Sequence, residues 1–268
     1  MKETEYSLAA PVQLRLALVS DTHNVEPAPI LASLGKNRPD LICVAGDLLI
    51  GERPESEGLI VEEQKNVLKL ISGCAGIAPT YISLGNHEWM ISPEDVEVLS
   101  RAGAAVLDNE FAVISRDLLI GGLSSAIVTN FQQFRKEAGG RYPYRPRHSH
   151  PPHLDTDSAW LEAFERHAGY KILLCHHPEY WSLREPYLSE HPIDLVLSGH
   201  AHGGQIRLFG KGLFSPGQGW LPRYTKGIFP GKHGVLAVSG GLSGTARAPR
   251  IFNPPEIVYI ALGGKSGE

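Results

Sequence analysis

One short stretch of the sequence, residues 193–204 (IDLVLSGHAHGG), combines the features from which the fold and the chemistry of this chain can be predicted. Ile193–Leu197 is a short run rich in Leu and Val, which predicts a buried β-strand. The run is followed by Ser-Gly and then by His200 and His202. Two buried histidines two positions apart are costly unless they bind a partner, so this stretch predicts a strand that ends in a ligand site.

The same pattern, a short apolar run followed directly by Asp, Asn or His, occurs four more times along the chain. These runs are Leu14–Ser20 before Asp21 and His23, Leu41–Ala45 before Asp47, Thr80–Leu84 before Asn86 and His87, and Lys171–Cys175 before His176 and His177. Each run is short and contains β-branched residues or Leu, with Gly or Pro nearby, as is typical of buried strands.

Segments with helical spacing of apolar residues lie between these strands. They are Gly58–Ile71, Pro93–Ala102, for which Ser92 is a candidate N-cap, and Asp157–His167. Further strands are expected at residues 104–107, 112–115, 118–122, 205–209, 235–239 and 257–262. Alternating strands and helices are typical of a mostly parallel α/β sheet. Because no linker or internal repeat occurs, we expect one domain over residues 1–268 with two stacked sheets.

Residues 130–156 are the least regular part of the chain, and we expect them to form a loop or a partial cap over the site. They contain five Lys or Arg residues and three His residues among several prolines. Loops of this length are usually functional or disordered. Arg145 is a candidate for binding a substrate phosphate, and a solvated basic loop is the alternative interpretation.

Composition narrows the classes of function. The chain has 268 residues, 42% of them hydrophobic and 20% charged, as in a soluble globular protein. Its net charge of −4 argues against bulk nucleic-acid binding. Three cysteines cannot form a disulfide framework, and no apolar run reaches the length of about 18 residues that a membrane span needs. We expect a cytoplasmic protein, with peripheral membrane association or a removed export signal left open.

The polar residues at the strand ends form a set of candidate metal ligands. In open α/β sheets, ligands bind at the carboxyl ends of the strands, so we expect one site. Its members are two carboxylates, one amide and four imidazoles: Asp21, His23, Asp47, Asn86, His176, His200 and His202. Seven such ligands are too many for one tetrahedral zinc ion but suit two ions that share a carboxylate, for which Asp47 is the natural bridge. The mixture of N and O ligands predicts Mn, Fe or Zn, and Mn is the metal expected to support activity in assays.

Two such ions predict a hydrolase that acts on phosphate esters. Ions about 4 Å apart activate a water molecule and neutralise phosphoryl oxygens during in-line displacement. Asp47 is therefore a catalytic candidate as well as a ligand. The leaving alkoxide still needs a proton, and His87, next to Asn86, is the candidate to supply it.

Five motifs occur in an order that resembles a known family. Asp-x-His, Gly-Asp, Gly-Asn-His-Glu, His-x-Pro and Gly-His-x-His resemble those of the calcineurin-like metallophosphoesterase superfamily. The stretches LLCHHPE (173–179), LSGHAHGGQIRL (197–208) and IFNPPEIVYIAL (251–262) resemble its bacterial branch of small phosphodiesterases similar to YkuE and YaeI. The resemblance implies a four-layer α/β/β/α sandwich of two mixed sheets, with a two-metal site at the top of the sheets.

The resemblance also implies a role for each motif residue. One metal would be held by Asp21, His23, Asp47 and His202, and the other by Asp47, Asn86, His176 and His200. Asn86 and His87 would contact the substrate phosphate, with Arg145 as a third candidate. The implied substrate is a small-molecule or lipid-linked phosphate ester, with phosphodiesters favoured and pyrophosphates included.

The sequence departs from the family pattern at one position. Relatives usually carry Asp three residues after the Asp of Gly-Asp, where it can pair with the acid histidine, but here that position is Ile50. Glu88 or solvent is then expected to set the protonation of His87. Two alternatives stay open at this stage: a phosphomonoesterase or protein phosphatase with the same site, and a non-catalytic metal-binding interaction module. The oligomeric state also stays open.

Overall fold

Two six-stranded sheets pack face to face, with helices on their outer faces. The computed structural model describes residues 1–51, 58–128, 158–244 and 249–264. The first sheet has the order β1-β16-β2-β3-β4-β5 and the second β14-β15-β9-β8-β7-β6. The first contains β1 (Lys2–Leu8), β2 (Leu14–Val19), β3 (Leu41–Ala45), β4 (Thr80–Ser83), β5 (Ala104–Val106) and β16 (Glu256–Leu262). The second contains β6 (Glu110–Ser115), β7 (Leu118–Leu123), β8 (Tyr170–Cys175), β9 (Leu195–Ser198), β14 (Gly227–Pro230) and β15 (Val235–Val238).

Each central strand is buried on both faces, and for this reason its sequence is a continuous run of apolar residues. On β3, Ile42 and Val44 pack against the helices outside the first sheet, whereas Leu41 and Cys43 face the second sheet. On β8, Leu174 faces the first sheet. The predicted α/β/β/α arrangement of two mixed sheets flanked by helices is therefore confirmed.

The parallel strands of both sheets place their carboxyl ends on the same side of the molecule. Strands β2 to β5 are mutually parallel, as are β7, β8, β9 and β15. Within these two sheets the antiparallel pairs are β16 beside β2, β6 beside β7 and β14 beside β15. The five strands predicted to carry polar residues all belong to the parallel sets, so their loops meet at one end of the sandwich.

The described helices follow apolar spacing and capping signals. They are α1 (Ala28–Asn37), α2 (Ile60–Glu63), α3 (Lys65–Ala75), α4 (Pro93–Arg101) and α5 (Ala159–Arg166). The predicted cap of α4 is confirmed, because Ser92 Oγ accepts from Asp95 N at 3.1 Å and Asp95 Oδ2 accepts from Ser92 N at 2.9 Å. None of the helices in the described ranges has the length and apolar character needed to cross a membrane.

Several boundaries differ from the prediction. The single helix expected over 58–71 is divided at Gln64, whose backbone leaves the helical region and whose Oε1 accepts from Ile50 N at 2.9 Å. The expected strand at 205–209 is reduced to β10 (Arg207–Leu208). The sequence reasoning missed β1, an edge strand of alternating polar residues, and α1, whose start carries prolines that resemble a loop.

Three further short strands follow β10. They are β11 (Lys211–Gly212), β12 (Phe214–Ser215) and β13 (Gly219–Trp220), and they complete two small antiparallel hairpins, β10–β11 and β12–β13. The loop predicted at 130–156 lies outside the described residues. The prediction of a single domain over the whole chain stays a prediction.

Candidate metal centre

The structure brings the predicted site residues together at one end of the two sheets. Backbone hydrogen bonds join loops that are far apart in sequence: Asp21 N donates to Gly46 O at 3.1 Å, and His23 N donates to Asp47 O at 3.1 Å. In the second sheet, Gly199 N donates to His176 O at 3.1 Å. The loops after β2, β3, β8 and β9 therefore hold their side chains in fixed positions.

The predicted Asp and His ligands form two groups whose potential ligand atoms lie within 4.8 Å of one another, and His87 forms a third such group with His23 and Asp47. The first group is Asp21, His23 and His202, and the second is Asp47, His176 and His200. Asp47 also connects the two groups. Its Oδ2 lies 3.2 Å from His176 Nε2 and 3.8 Å from His23 Nε2, so this carboxylate lies next to a ring of each group.

The backbone at these residues is in an unusual conformation. Asp21, His23, Asp47, His200 and His202 all have positive φ angles, between 43° and 64°. Non-glycine residues rarely adopt this region, and clusters of them are typical of functional sites. The loops are also tightly packed, because a Cβ atom on Gly85 would lie 2.3 Å from Asp47 Oδ1.

Hydrogen bonds to the backbone fix the orientation of the imidazole rings. His176 Nδ1 lies 2.7 Å from Ala45 O, His23 Nδ1 lies 2.9 Å from Leu49 O, and His202 Nδ1 lies 3.2 Å from Ser243 O. A carbonyl can only accept, so each Nδ1 carries a proton and each Nε2 is the nitrogen left to face the centre. Metal-binding histidines are usually held in this way.

The atoms that face the centre are those with no other hydrogen-bonding partner. His23 Nε2, Asn86 Oδ1 and His200 Nε2 are buried and make no hydrogen bond with any described residue, whereas His176 Nε2 faces Asp47 Oδ2 at 3.2 Å. An unsatisfied buried polar atom costs about 1–3 kcal/mol. Three such atoms on the loops after β2, β4 and β9, together with two buried carboxylates, fit metal ions as the missing partners.

Burial keeps two of the rings neutral, as metal binding requires. Burial lowers the pKa of His23 to about 4 and that of His200 to about 3. His176 differs: burial lowers its pKa, but the charge of Asp47, a hydrogen bond to Asp47, the charge of Asp21 and the hydrogen bond to Ala45 O together raise the pKa of His176 to about 10. Burial opposes the ionisation of Asp47 in turn, but His176 and His87 hold the pKa of Asp47 well below its usual value. In the metal-free protein His176 is therefore protonated.

Glu88 joins the loops that carry Asp47 and Asn86. Its carboxylate, which is buried, accepts from three backbone N–H groups: Asp47 N at 2.8 Å, Leu49 N at 2.9 Å and Gly85 N at 2.7 Å. The expectation that Glu88 sets the protonation of His87 is therefore not supported by its contacts. Glu88 holds the backbone on which Asp47 and Asn86 are placed.

The backbone of Ile50 takes the place of the missing acidic partner of His87. His87 Nδ1 lies 2.6 Å from Ile50 O, while Ile50 N donates to Gln64 Oε1. His87 Nε2 lies 3.9 Å from Asp47 Oδ2, and the side chain is 26% exposed, whereas that of His176 is completely buried. His87 therefore lies on the open side of the centre with a fixed ring.

Sequence reasoning missed a second layer of buried polar side chains. His177 Nε2 lies 2.8 Å from Ser125 Oγ, and its Nδ1 lies 3.9 Å from Glu179 Oε2. His177, Glu179 and His200 form a further group of potential ligand atoms within 4.8 Å. The only sequence signal was the His-His-Pro-Glu order itself, because Ser125 lies 52 residues away.

Arg250 supports the loop beside His202. Its guanidinium donates to Ser243 O at 2.5 Å and to Gly241 O at 3.1 Å, and Ser243 O is the carbonyl that orients His202. No sequence motif marks this role, because the contacts are made to backbone carbonyls.

Comparison with known families agrees with this geometry. The model of the calcineurin-like phosphoesterase family matches residues 14–204, which contain all of the predicted metal ligands. The chain belongs to the calcineurin-like phosphoesterase family. Its family uses a two-metal centre, and the Asp and His groups described above lie where such a centre would be held.

Curated relatives are metallophosphoesterases. The chain is 28% identical over 239 residues to an uncharacterised metallophosphoesterase of Aquifex aeolicus, covering 86% of this chain and 75% of that protein. It is 26% identical over 210 residues to the phosphodiesterase YaeI of Escherichia coli, covering 75% of this chain and 64% of that protein. The predicted resemblance to this group of phosphoesterases is confirmed.

A solved structure supports the fold. A dimetal phosphatase from Danio rerio superposes with a TM-score of 0.50 at 10% sequence identity, covering 85% of this chain and 87% of that chain. At this identity the likeness supports the calcineurin-like fold alone. Arg145, the remaining predicted substrate contact, lies outside the described residues.

Replacement of Glu88 tests its role in joining the loops. In Glu88→Gln one carboxylate oxygen becomes an NH₂ group, which cannot accept the N–H groups that faced it. We expect the free energy of unfolding to fall by about 1–3 kcal/mol, as measured by urea denaturation of the metal-free protein. Glu97→Gln, an exposed change on α4, is the control and should have little effect. Equal stability of the two variants would contradict the role.

Metal binding should release a proton from His176. Because the pKa of this ring is raised in the metal-free protein, a metal ion must displace its proton at neutral pH. Affinity for Mn²⁺ should therefore rise with pH, by up to about tenfold per unit for one displaced proton. Isothermal titration in buffers of different ionisation enthalpy, between about pH 6 and pH 8, measures both the affinity for Mn²⁺ and the number of protons released.

A matched control is His191→Gln. His191 also pairs with a carboxylate, Glu165, at 2.6 Å, but it belongs to neither group of potential ligand atoms. This variant should release the same number of protons as the original protein. Metal binding without proton release would show that His176 is already neutral.

Proposed function

We propose that the chain hydrolyses phosphodiester bonds at a two-metal centre held by its strand-end residues. The proposed ligands are Asp21, His23, Asp47, Asn86, His176, His200 and His202. The observation that carries the proposal is the grouping of His23, His176 and His200 around the buried carboxylate of Asp47, where His23 Nε2 and His200 Nε2 have no hydrogen-bonding partner among the described residues. Bound ions of Mn, Fe or Zn would supply an activated water molecule and stabilise charge on the phosphoryl oxygens.

The protein's own residues position the substrate and transfer a proton. Asp47 Oδ1 accepts from His87 N at 2.9 Å, which leaves Oδ2 directed at the rings of His23 and His176. His87 is held at Nδ1 by a carbonyl, so its Nε2 is the atom that faces a substrate. A ring that is fixed and partly exposed can donate a proton to the leaving oxygen and contact the phosphate.

Phosphodiesters are favoured over monoesters because YaeI, which covers three quarters of this chain, is named a phosphodiesterase. A non-catalytic interaction module is disfavoured, because every ligand position is filled and the Ile50 carbonyl replaces the missing Asp as the partner of His87. Arg145 remains a proposed substrate contact. The substrate would be a small-molecule or lipid-linked phosphate ester.

Hydrolysis of bis-(p-nitrophenyl) phosphate and of p-nitrophenyl phosphate by one Mn-loaded preparation tests the proposal. We expect faster turnover of the diester, since that preference is what the proposal adds to the family assignment. The reverse order would favour a phosphomonoesterase. Absence of hydrolysis with Mn, Fe and Zn alike would contradict a catalytic role.

Replacement of His87 tests proton donation. We expect His87→Ala to lower the turnover of a diester with an alkyl leaving group by about 10²–10⁴-fold. A p-nitrophenyl ester should be much less affected, because p-nitrophenolate leaves without a proton. Metal content, measured by mass spectrometry, should stay near that of the original protein. Equal losses on both substrates would contradict a role as general acid.

Asp47→Asn provides the contrasting case. Removal of the shared charge should reduce both bound metal and the hydrolysis of either substrate, whatever the leaving group. Because Asn is close to Asp in size, the fold should survive, as circular dichroism can verify. Normal metal content in Asp47→Asn would contradict the bridging role.

A further inference from the structure

One segment of this acidic chain contains basic residues but no acidic ones. Residues 195–255 contain seven of the 25 Lys and Arg residues and none of the 29 Asp and Glu residues. The segment runs from strand β9 to the residue before β16 and includes the β10–β11 and β12–β13 hairpins. A cationic segment in a chain of net charge −4 indicates a partner surface of opposite charge.

The same segment exposes large apolar side chains. Phe209 is fully exposed, and Trp220, Leu221 and Phe252 are each more than 70% exposed. Leu208, Phe214 and Ile251 are exposed to a smaller extent, near 40%. Single exposed apolar residues are common, but a contiguous group of this kind usually marks an interaction site.

Three of these side chains project from a strained backbone. Phe209, Leu221 and Phe252 have φ angles of 50°, 52° and 53°, a conformation that bulky residues rarely adopt. Phe209 occupies the two-residue turn of the β10–β11 hairpin together with Gly210, where Asn or Asp is usually found. An apolar side chain at such a position lowers the stability of the fold for two reasons, because the backbone is strained and because the side chain is exposed to water. A functional reason for these residues is therefore expected.

Backbone hydrogen bonds connect the segments that carry Phe209, Leu221 and Phe252. Leu213 N donates to Ile206 O at 2.9 Å and Leu221 N donates to Leu213 O at 2.9 Å, which joins the two hairpins. Arg207 N donates to Ile251 O at 3.0 Å, which attaches the segment that carries Phe252. The rings of Phe214 and Trp220 make an edge contact at 5.6 Å. We call this surface, formed by Phe209, Phe214, Trp220, Leu221, Ile251 and Phe252, the apolar face.

Two cations lie beside the apolar face and remain available to a partner. Lys211 pairs with Leu208 across the β10–β11 hairpin, and Arg223 follows Leu221 by two residues. Both are exposed, and no described carboxylate forms a salt bridge with either. The other cations among the described residues of this segment are engaged: Lys226 pairs with Glu256, Lys232 pairs with Glu190, and Arg207 and Arg250 donate to backbone carbonyls.

We propose that the apolar face docks on a lipid bilayer that contains anionic phospholipids. Separate Phe, Trp and Leu side chains on turns can each enter a fluid acyl layer without a complementary pocket, and Trp prefers the interface between headgroups and acyl chains. Lys211 and Arg223 would then contact anionic headgroups, each contributing to binding. The absence of acidic residues from 195–255 avoids repulsion by such a membrane.

The apolar face is built on the same backbone as the candidate metal centre. A Cβ atom on Gly204, two residues after His202, would lie 2.4 Å from Gly212 Cα, so β11 packs directly on this turn. Asn253, next to Phe252, donates to His202 O at 2.7 Å. Docking would therefore hold the centre close to the membrane. The docking proposal does not depend on which ester is hydrolysed.

Sedimentation with large unilamellar vesicles tests the proposal. The intact chain should sediment with vesicles of phosphatidylcholine and phosphatidylglycerol, and much less with phosphatidylcholine alone. Phe209→Ser/Leu221→Ser should lower the partition coefficient by at least about tenfold, and Lys211→Glu/Arg223→Glu should do so on anionic vesicles. Val113→Ser, an exposed change on β6 at the far edge of the second sheet, and Arg101→Glu/Arg116→Glu are the matched controls and should bind normally.

Tryptophan fluorescence reports the docking geometry. Trp89 and Trp181 are buried and Trp160 is half-buried, whereas Trp220 is 77% exposed, so Trp220 emission should shift to the blue on anionic vesicles. Trp220→Phe should keep binding but lose most of this shift. Unchanged melting temperatures would verify that the variants are folded.

Two results would overturn the proposal. One is that the intact chain does not bind anionic vesicles, or that the control variants lose binding as much as the apolar-face variants. The other is that vesicles are not bound while the intact chain self-associates in analytical ultracentrifugation and Phe209→Ser/Leu221→Ser is monomeric. The apolar face would then be a protein interface.

Discussion

The buried carboxylate of Asp47 is the group around which the candidate centre is organised. Its Oδ1 accepts the N–H of His87, and its Oδ2 lies within 4 Å of the rings of His23, His87 and His176. A charge buried in this way is stable only with opposite charges or hydrogen bonds close by. The loops of both sheets must therefore approach one another, and the positive φ angles and the glycines without space for a Cβ atom are consequences of that approach.

A second buried carboxylate, that of Glu88, stabilises the backbone of the centre and is not one of the proposed metal ligands. Glu88 accepts hydrogen bonds from three backbone N–H groups of the loops after β3 and β4. These bonds hold the loops of Asp47 and Asn86 together. His87 lies between them and is oriented by the Ile50 carbonyl. Backbone groups orient His23, His176 and His202 as well, and this leaves the side chains free to face the centre.

The sequence predicted most of the architecture because its signals are local. Short apolar runs that end in polar residues predicted the five central strands, and Ser92 before Pro93 predicted the start of α4. Among the missed elements, which also include β11 to β14, β1 and α1 lack such signals, since β1 is a polar edge strand that depends on pairing with β16, more than 240 residues away. The break at Gln64 was missed because its cause is a hydrogen bond to Ile50, which periodicity does not reveal.

The sequence by itself determined the chemistry, because ligand types follow from the residues at the strand ends and from their family motifs. Tertiary structure decided how those residues are grouped: which ring faces Asp47, which nitrogen is free, and what replaces the missing acidic partner of His87. It also decided that Phe209, Leu221 and Phe252, spread over more than 40 residues, are exposed on segments joined by backbone hydrogen bonds. Such relations depend on contacts between distant segments and on backbone carbonyls, and neither leaves a pattern in the order of side chains.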